Sequence, residues 1–225
     1  MHSDVAMGKV VTIIIGPEKK AYFVHKGLIC YYSEYFRTAY NGRWKEVEDG
    51  VSLDMVEPVV FNIFLHWLYM QRLPDTLSEI YAISGGVAGK SERCLLSLLK
   101  SCVFGDRFLA PHFHKAVHNL FVDLHQGSPW NSHIHYAFEN LAEDDSLLQF
   151  LVEAQCLYWD PDIDDDDEIA ARKLLSQDFL VRTMVRFSGL LSSATDPEAT
   201  MLCEYHCHDS PEERNACPHN FSTRE

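Results

Sequence analysis

Residues 10–25 read VVTIIIGPEKKAYFVH. Val10 to Ile15 is an unbroken run dominated by β-branched side chains, which suits an extended strand buried on both faces. Gly16-Pro17 ends it, and Glu18, Lys19 and Lys20 form a charged turn. Ala21 to Val24 is then apolar again, so the segment reads as two strands joined into a hairpin.

Downstream of the hairpin the periodicity changes. Leu28, Ile29, Tyr32, Tyr35, Phe36 and Ala39 recur at three- and four-residue spacings, the pattern of two short helices with Ser33 as the N-cap between them. Asn41-Gly42 closes that pair. Val51-Ser52-Leu53 alternates apolar and polar and reads as a third strand. Pro58 stands at the first position of a helix reaching Met70, in which Val60, Phe61, Ile63, Phe64, Leu65, Trp67, Leu68 and Tyr69 point most of the way round. A helix apolar on nearly all sides is a central one. Leu95, Leu98, Leu99, Cys102 and Val103 trace a further helical face, and Leu109, Phe113, Ala116, Val117, Leu120 and Leu124 another. Three amphipathic stretches follow at 134–141, 147–158 and 179–191, the last with Leu180, Met184, Phe187 and Leu191 as its apolar stripe. Strands precede helices and no βαβ unit recurs, so the expected class is α+β: a small sheet with a helical cluster, followed by an all-helical C-terminal extension.

The 225 residues include 19 Lys+Arg and 33 Asp+Glu, a net charge of −14. That sign argues against direct nucleic-acid binding, which needs clustered basic residues. No run approaches the roughly 20 apolar residues of a membrane span, and the N-terminus lacks a basic n-region, so an intracellular protein is expected, cytoplasmic or nuclear. Residues 1–125 carry 13 basic and 13 acidic side chains, whereas residues 126–225 carry 6 and 20. The whole imbalance lies beyond Gly127-Ser128-Pro129, which marks a composition boundary. The expected organisation is a flexible N-terminus at 1–7, an α+β domain at 8–125, an acidic helical extension at 126–195, and a poorly ordered tail at 196–225. Asp160 to Glu168, DPDIDDDDE, reads as a solvated acidic loop that cannot pack.

Taken together, Val11-Thr12-Ile13-Ile14-Ile15-Gly16, Phe23-Val24-His25-Lys26, Ser33-Glu34-Tyr35-Phe36 and the Phe61 to Tyr69 helix resemble a BTB/POZ domain. They look most like the versions in fungal BTB-domain proteins. The family-motif positions are Gly16, Phe23, His25, Lys26, Ser33, Phe36, Trp67 and Tyr69. The resemblance implies a non-enzymatic protein–protein interaction module with protein partners. Those partners are a second copy in a homodimer, or a cullin-type ubiquitin ligase scaffold for which the protein acts as adaptor. Many members carry an Asp ahead of the first strand that pairs with the basic residue after His; here Val10 stands there, leaving Lys26 without that partner. Leu77-Ser78-Glu79 fits the hydrophobic-x-Glu motif of cullin-binding members, which makes Leu77 and Glu79 candidate partner contacts. Tyr31, Tyr32, Tyr35, Tyr40 and Trp44 offer aromatic anchors, or pack against the central helix.

Other motifs compete with that reading. Ser84-Gly85-Gly86-Val87-Ala88-Gly89-Lys90-Ser91 approaches a phosphate-binding loop, but Ser84 replaces the first glycine and the strand–helix alternation of a nucleotide fold is missing. A nucleotide-binding protein is therefore the alternative function, with partner-mediated transcriptional regulation beside it. His114 and His118 lie one turn apart but lack the glutamate of a zinc-protease helix, and they read as a polar, solvated face. Asp160, Asp162 and Asp164 begin like a calcium loop, but Asp165 and Ala171 occupy its obligatory Gly and Glu positions. No catalytic constellation, cofactor or resident metal is expected. The metal candidates are Cys203, His206, His208 and Cys217, whose residue types suit a tetrahedral zinc ion. The seven cysteines show no disulfide framework.

Overall fold

The structure is a computed structural model, and its described residues are 8–41, 50–83, 91–192 and 202–219. The chain divides into two compact units, residues 1–120 and 121–225. The Ser84 to Lys90 part of the phosphate-loop-like segment and Trp44 lie outside the described residues.

In the first unit, β1 (Val10–Ile15) is the middle strand of a three-stranded sheet of order β2-β1-β3. It pairs antiparallel with β2 (Lys20–His25), as the hairpin reading requires, and parallel with β3 (Val51–Leu53). Gly16 turns the chain after β1 at φ +71°, a conformation in which a side chain is strained, and its N–H donates to the Leu53 carbonyl at 3.1 Å. The expectation that β1 is buried on both faces is corrected. Ile13 and Ile15 are fully buried, but Val10 is 47% exposed. The register puts Thr12 opposite Phe23, which is 72% exposed, while Val24 beside it is fully buried. An apolar run does not reveal that helices cover only one side of it.

Helices α1 (Lys26–Tyr32) and α2 (Glu34–Ala39) follow, then α3 (Pro58–Met70), α4 (Leu77–Ile83) and α5 (Ser91–Arg107). Val60, Phe61, Ile63, Phe64, Trp67 and Leu68 of α3 are all buried, as a central helix demands. Phe64 meets Phe104 of α5 at 5.0 Å and Phe113 at 5.1 Å between ring centroids. Phe113 belongs to α6 (Pro111–Leu124), within which the division between the units falls. On α6 the polar-face reading of His114 and His118 fails in part. His118 is buried, and a Cβ on Gly105 of α5 would come within 2.8 Å of the His114 Cβ, so the two helices touch there.

The second unit contains α7 (Asn131–Asn140), α8 (Ser146–Tyr158), a 3-10 turn (Pro161–Ile163), α9 (Asp166–Ala171), a second 3-10 turn (Arg172–Leu174) and α10 (Gln177–Ser192). Ile134, Val152 and Phe179 form its buried cluster, with Phe138, Cys156 and Leu175 packed against them. The stripe expected on α10 is corrected: Phe179 is buried, whereas Leu180 and Met184 are 52% and 65% exposed. The acidic stretch also departs from expectation. Asp160 and Asp165 accept hydrogen bonds from the first backbone amides of the 3-10 turn and of α9, groups that no helical carbonyl satisfies. Asp164 pairs with Arg172 and accepts from Trp159 Nε1 at 3.2 Å. Glu168 accepts from the Asn131 amide at 2.8 Å, at the start of α7. Asp160 and Asp165 are helix-start residues rather than part of a solvated loop that cannot pack. Finally, the tail expected to be poorly ordered contains a 3-10 turn (Leu202–Tyr205) and α11 (Pro211–Ala216). Among the described residues no helix is long and apolar enough to cross a membrane.

Candidate functional site

The motif positions of the first unit are mostly internal. His25 closes β2, its amide donating to Tyr69 Oη at 3.3 Å and its Nδ1 lying 2.9 Å from the same oxygen. Lys26, which lacks the acidic partner common in the resemblance, donates instead to the Tyr40 carbonyl at 2.9 Å and stands 5.8 Å from that ring. Tyr40 Oη donates to the Thr12 carbonyl at 3.1 Å, and burial pushes the phenol up to about 12. Lys26 thus joins α1 to β1 through Tyr40, and a carbonyl with a ring replaces the missing carboxylate.

Ser33 is 1% exposed and does two jobs. Its Oγ accepts from the Phe36 amide as N-cap of α2 and donates to the Phe108 carbonyl at 2.6 Å. Ser33→Ala removes the cap and leaves a part-buried carbonyl without its donor, so an expected loss of about 2 kcal/mol follows. Urea unfolding measures it, and Ser33→Thr should restore most of the difference. Phe36 is fully buried against Phe108, and Trp67 lies 5.2 Å from Tyr32 and 5.4 Å from Phe113. Of the early aromatics, Tyr32 and Tyr40 are core, Tyr35 is half-buried against Phe108, and Tyr31 is 71% exposed. Among the motif positions Phe23 is the large side chain turned furthest outward, ahead of Tyr69, which is also exposed.

Leu77 and Glu79 begin α4. Thr76 Oγ1 accepts from the Glu79 amide at 3.3 Å and donates to the Glu79 carboxylate at 2.9 Å. This is half of a capping box, and the spacing Thr76-x-x-Glu79 was legible in the sequence as one. Glu79 therefore has a structural use of its own.

The second unit brings the tail's metal candidates together. Cys203 Sγ, His208 Nε2 and Cys217 Sγ all lie within 4.8 Å of one another. Cys203 Sγ is 3.5 Å from His208 Nε2, and His206 Nδ1 is 3.4 Å from Cys217 Sγ. Asp123 of α6 and His219, neither among the four metal candidates, complete the surroundings. Asp123 Oδ1 lies 3.0 Å from His206 Nε2 and 3.1 Å from His219 Nε2. The first of these is an ion-pair distance without the alignment of a hydrogen bond. Burial disfavours the His206 imidazolium, but Asp123 and Cys217 outweigh it and raise the pKa. Burial likewise opposes the Cys217 thiolate, but hydrogen bonds from His219, His206 and Cys203 hold the thiol below its ordinary value. Burial and the neighbouring Cys217 push Cys203 up. Tyr205 anchors the segment on α8, its ring 5.5 Å from that of Phe150.

The first unit is a three-stranded sheet with a helical cluster. Comparison with known families agrees: the family model for the BTB/POZ domain matches residues 6–84. Residues 6–84 are thus similar to a BTB/POZ domain, a family of protein-interaction modules. The match spans the sheet and the helices through α4, and ends before the limit of 125 expected from the sequence.

Proposed function

We propose that this protein is a non-enzymatic interaction module that self-associates through the outer face of its sheet. The observation that carries the proposal is Phe23, 72% exposed at mid-strand, with Val10 47% exposed on the same face. Large aromatics at the centre of an apolar patch are the side chains on which interfaces depend most. The sequence 1–125 has no net charge, so two copies meet without the like-charge penalty of a uniformly acidic surface. Light scattering coupled to size exclusion should report a dimer. Phe23→Asp, at an exposed position that leaves the core intact, should shift it to monomer with an unchanged circular dichroism spectrum. A wild-type monomer at every concentration would sink the proposal.

Recruitment to a cullin-type scaffold is the second reading, supported by Leu77-Ser78-Glu79 at the exposed start of α4. Because the Glu79 carboxylate also accepts from the capping Thr76 hydroxyl, its test is capture of a purified cullin scaffold by Glu79→Gln. That variant keeps a hydrogen-bonding group at the cap while removing the charge.

A further inference from the structure

We propose that Cys203, His206, His208 and Cys217 bind a structural zinc ion that clasps the C-terminal segment onto the second unit. Two thiols and two imidazoles are the donor set of closed, tetrahedral zinc sites. With the usual Zn–S and Zn–N bond lengths, a sulfur and a nitrogen on one tetrahedral zinc stand about 3.6 Å apart. The Cys203–His208 and His206–Cys217 separations are 3.5 and 3.4 Å. Three of the four donors are already gathered, since Cys203, His208 and Cys217 fall within 4.8 Å of one another, and His206 reaches them through Cys217. His208 Nε2 also lies 3.1 Å from the Cys203 carbonyl oxygen, so ligation requires the tautomer protonated at Nδ1.

The surroundings are those a metal ligand needs. When His206 ligates through Nδ1, its Nε2 carries the proton and lies 3.0 Å from the Asp123 carboxylate, an ion-pair contact. A carboxylate behind a ligating histidine fixes its ring and tautomer. His219 shares the same oxygen at 3.1 Å, so Asp123 ties the segment to α6 from outside the donor set. The segment also has reason to need a clasp. Its regular structure is one 3-10 turn and a six-residue helix in which no side chain is buried, while Cys203 is 3% exposed. So small an element has too little apolar surface to hold itself in place, and metal binding supplies folding free energy directly. Ligation by two thiolates neutralises the ion without adding positive charge.

The test uses the full chain, purified in reducing buffer and dialysed, with zinc added as zinc sulfate where needed. Elemental analysis should find about one zinc per chain in the wild type. The C203S/C217S double variant should lose it, and Cys207→Ser, which alters a cysteine outside the donor set, should keep it. Asp123→Asn should weaken zinc binding by about 10–100-fold in competition with a chelator. Because the double variant is open to simple misfolding, the wild type is also loaded with cobalt(II). A thiolate-to-cobalt charge-transfer band with intense tetrahedral ligand-field bands is the expected spectrum. Absence of bound zinc after reconstitution, an octahedral cobalt spectrum, a Cys203–Cys217 disulfide in its place, or zinc loss in Cys207→Ser would each overturn the proposal.

Discussion

Phe64→Ala is expected to lower the stability of the first unit by about 4 kcal/mol, because truncating a fully buried phenylalanine removes its transfer free energy and leaves a cavity. Phe64 has no exposed surface, and its ring is surrounded by four others. Phe61 and Trp67 lie on its own helix at 5.9 and 6.4 Å, Phe104 on α5 at 5.0 Å, and Phe113 on α6 at 5.1 Å. Rings are rigid and cannot collapse into the space as flexible aliphatic chains do, which places the cost toward the upper end of the usual range. With a urea dependence of about 2 kcal/mol per molar, the unfolding midpoint should fall by about 2 M. Trp67, in contact with Phe64, reports the transition by its fluorescence. Met70→Ala, at a 53% exposed position on the same helix, should move it by less than about a quarter of that. A Phe64→Ala midpoint within the range of that control would show that the aromatic cluster is not what holds the three helices together.

That cluster was legible beforehand. The density of apolar residues in Pro58–Met70 leaves only the narrow stripe of Asn62 and His66 polar, so the helix had to be central, and the hairpin followed from two apolar runs around a charged turn. Sidedness was less accessible. Val10–Ile15 looks buried on both faces because every residue but Thr12 is apolar, and nothing within the run says that Phe23 faces outward. On α10 two stripes compete at helical spacing. One starts from Phe179 and the other from Leu180, and periodicity alone cannot choose between stripes offset by one residue. The acidic run misled for a different reason. Charge density suggests a solvated loop that cannot pack, but Asp160, Asp165 and Glu168 are placed where backbone amides at helix starts lack partners.

The metal candidates show what spacing can and cannot give. Cys203, His206, His208 and Cys217 stand close enough in sequence to be read as one donor set. Asp123 belongs to a helix far upstream, and only folding carries its carboxylate to His206. Likewise the motif positions of the first unit were identifiable as a set, yet their division into core (Phe36, Trp67), hydrogen-bonded hinge (His25, Lys26, Ser33, Tyr69) and surface (Phe23) depends on which side of each element the neighbours occupy.

Acidification from about pH 6.5 to about pH 4 should destabilise the second unit by about 3 kcal/mol through His125 alone. His125 ends α6 and is 8% exposed, its ring 5.5 Å from Phe121 and 5.3 Å from Phe150. Burial against those rings lowers its pKa to about 4, and its Nε2 has no hydrogen-bond partner among the described residues. The folded state therefore keeps the ring neutral while the unfolded chain takes up a proton near pH 6.5. Between the two values the unfolded state binds more protons, so stability is complete above about pH 6.5 and declines as pH falls toward 4. Carboxylates titrate in the lower part of the same window, and a variant separates them from His125. His125→Phe cannot protonate, removes a buried polar atom and fits among aromatic neighbours, so its stability should fall by about 3 kcal/mol less than that of the wild type over the same interval. Urea unfolding of both proteins at the two pH values, followed by circular dichroism, gives the comparison. Parallel losses would mean that His125 is protonated in the folded protein, and that the space between Phe121 and Phe150 is wetter than the packing of these rings implies.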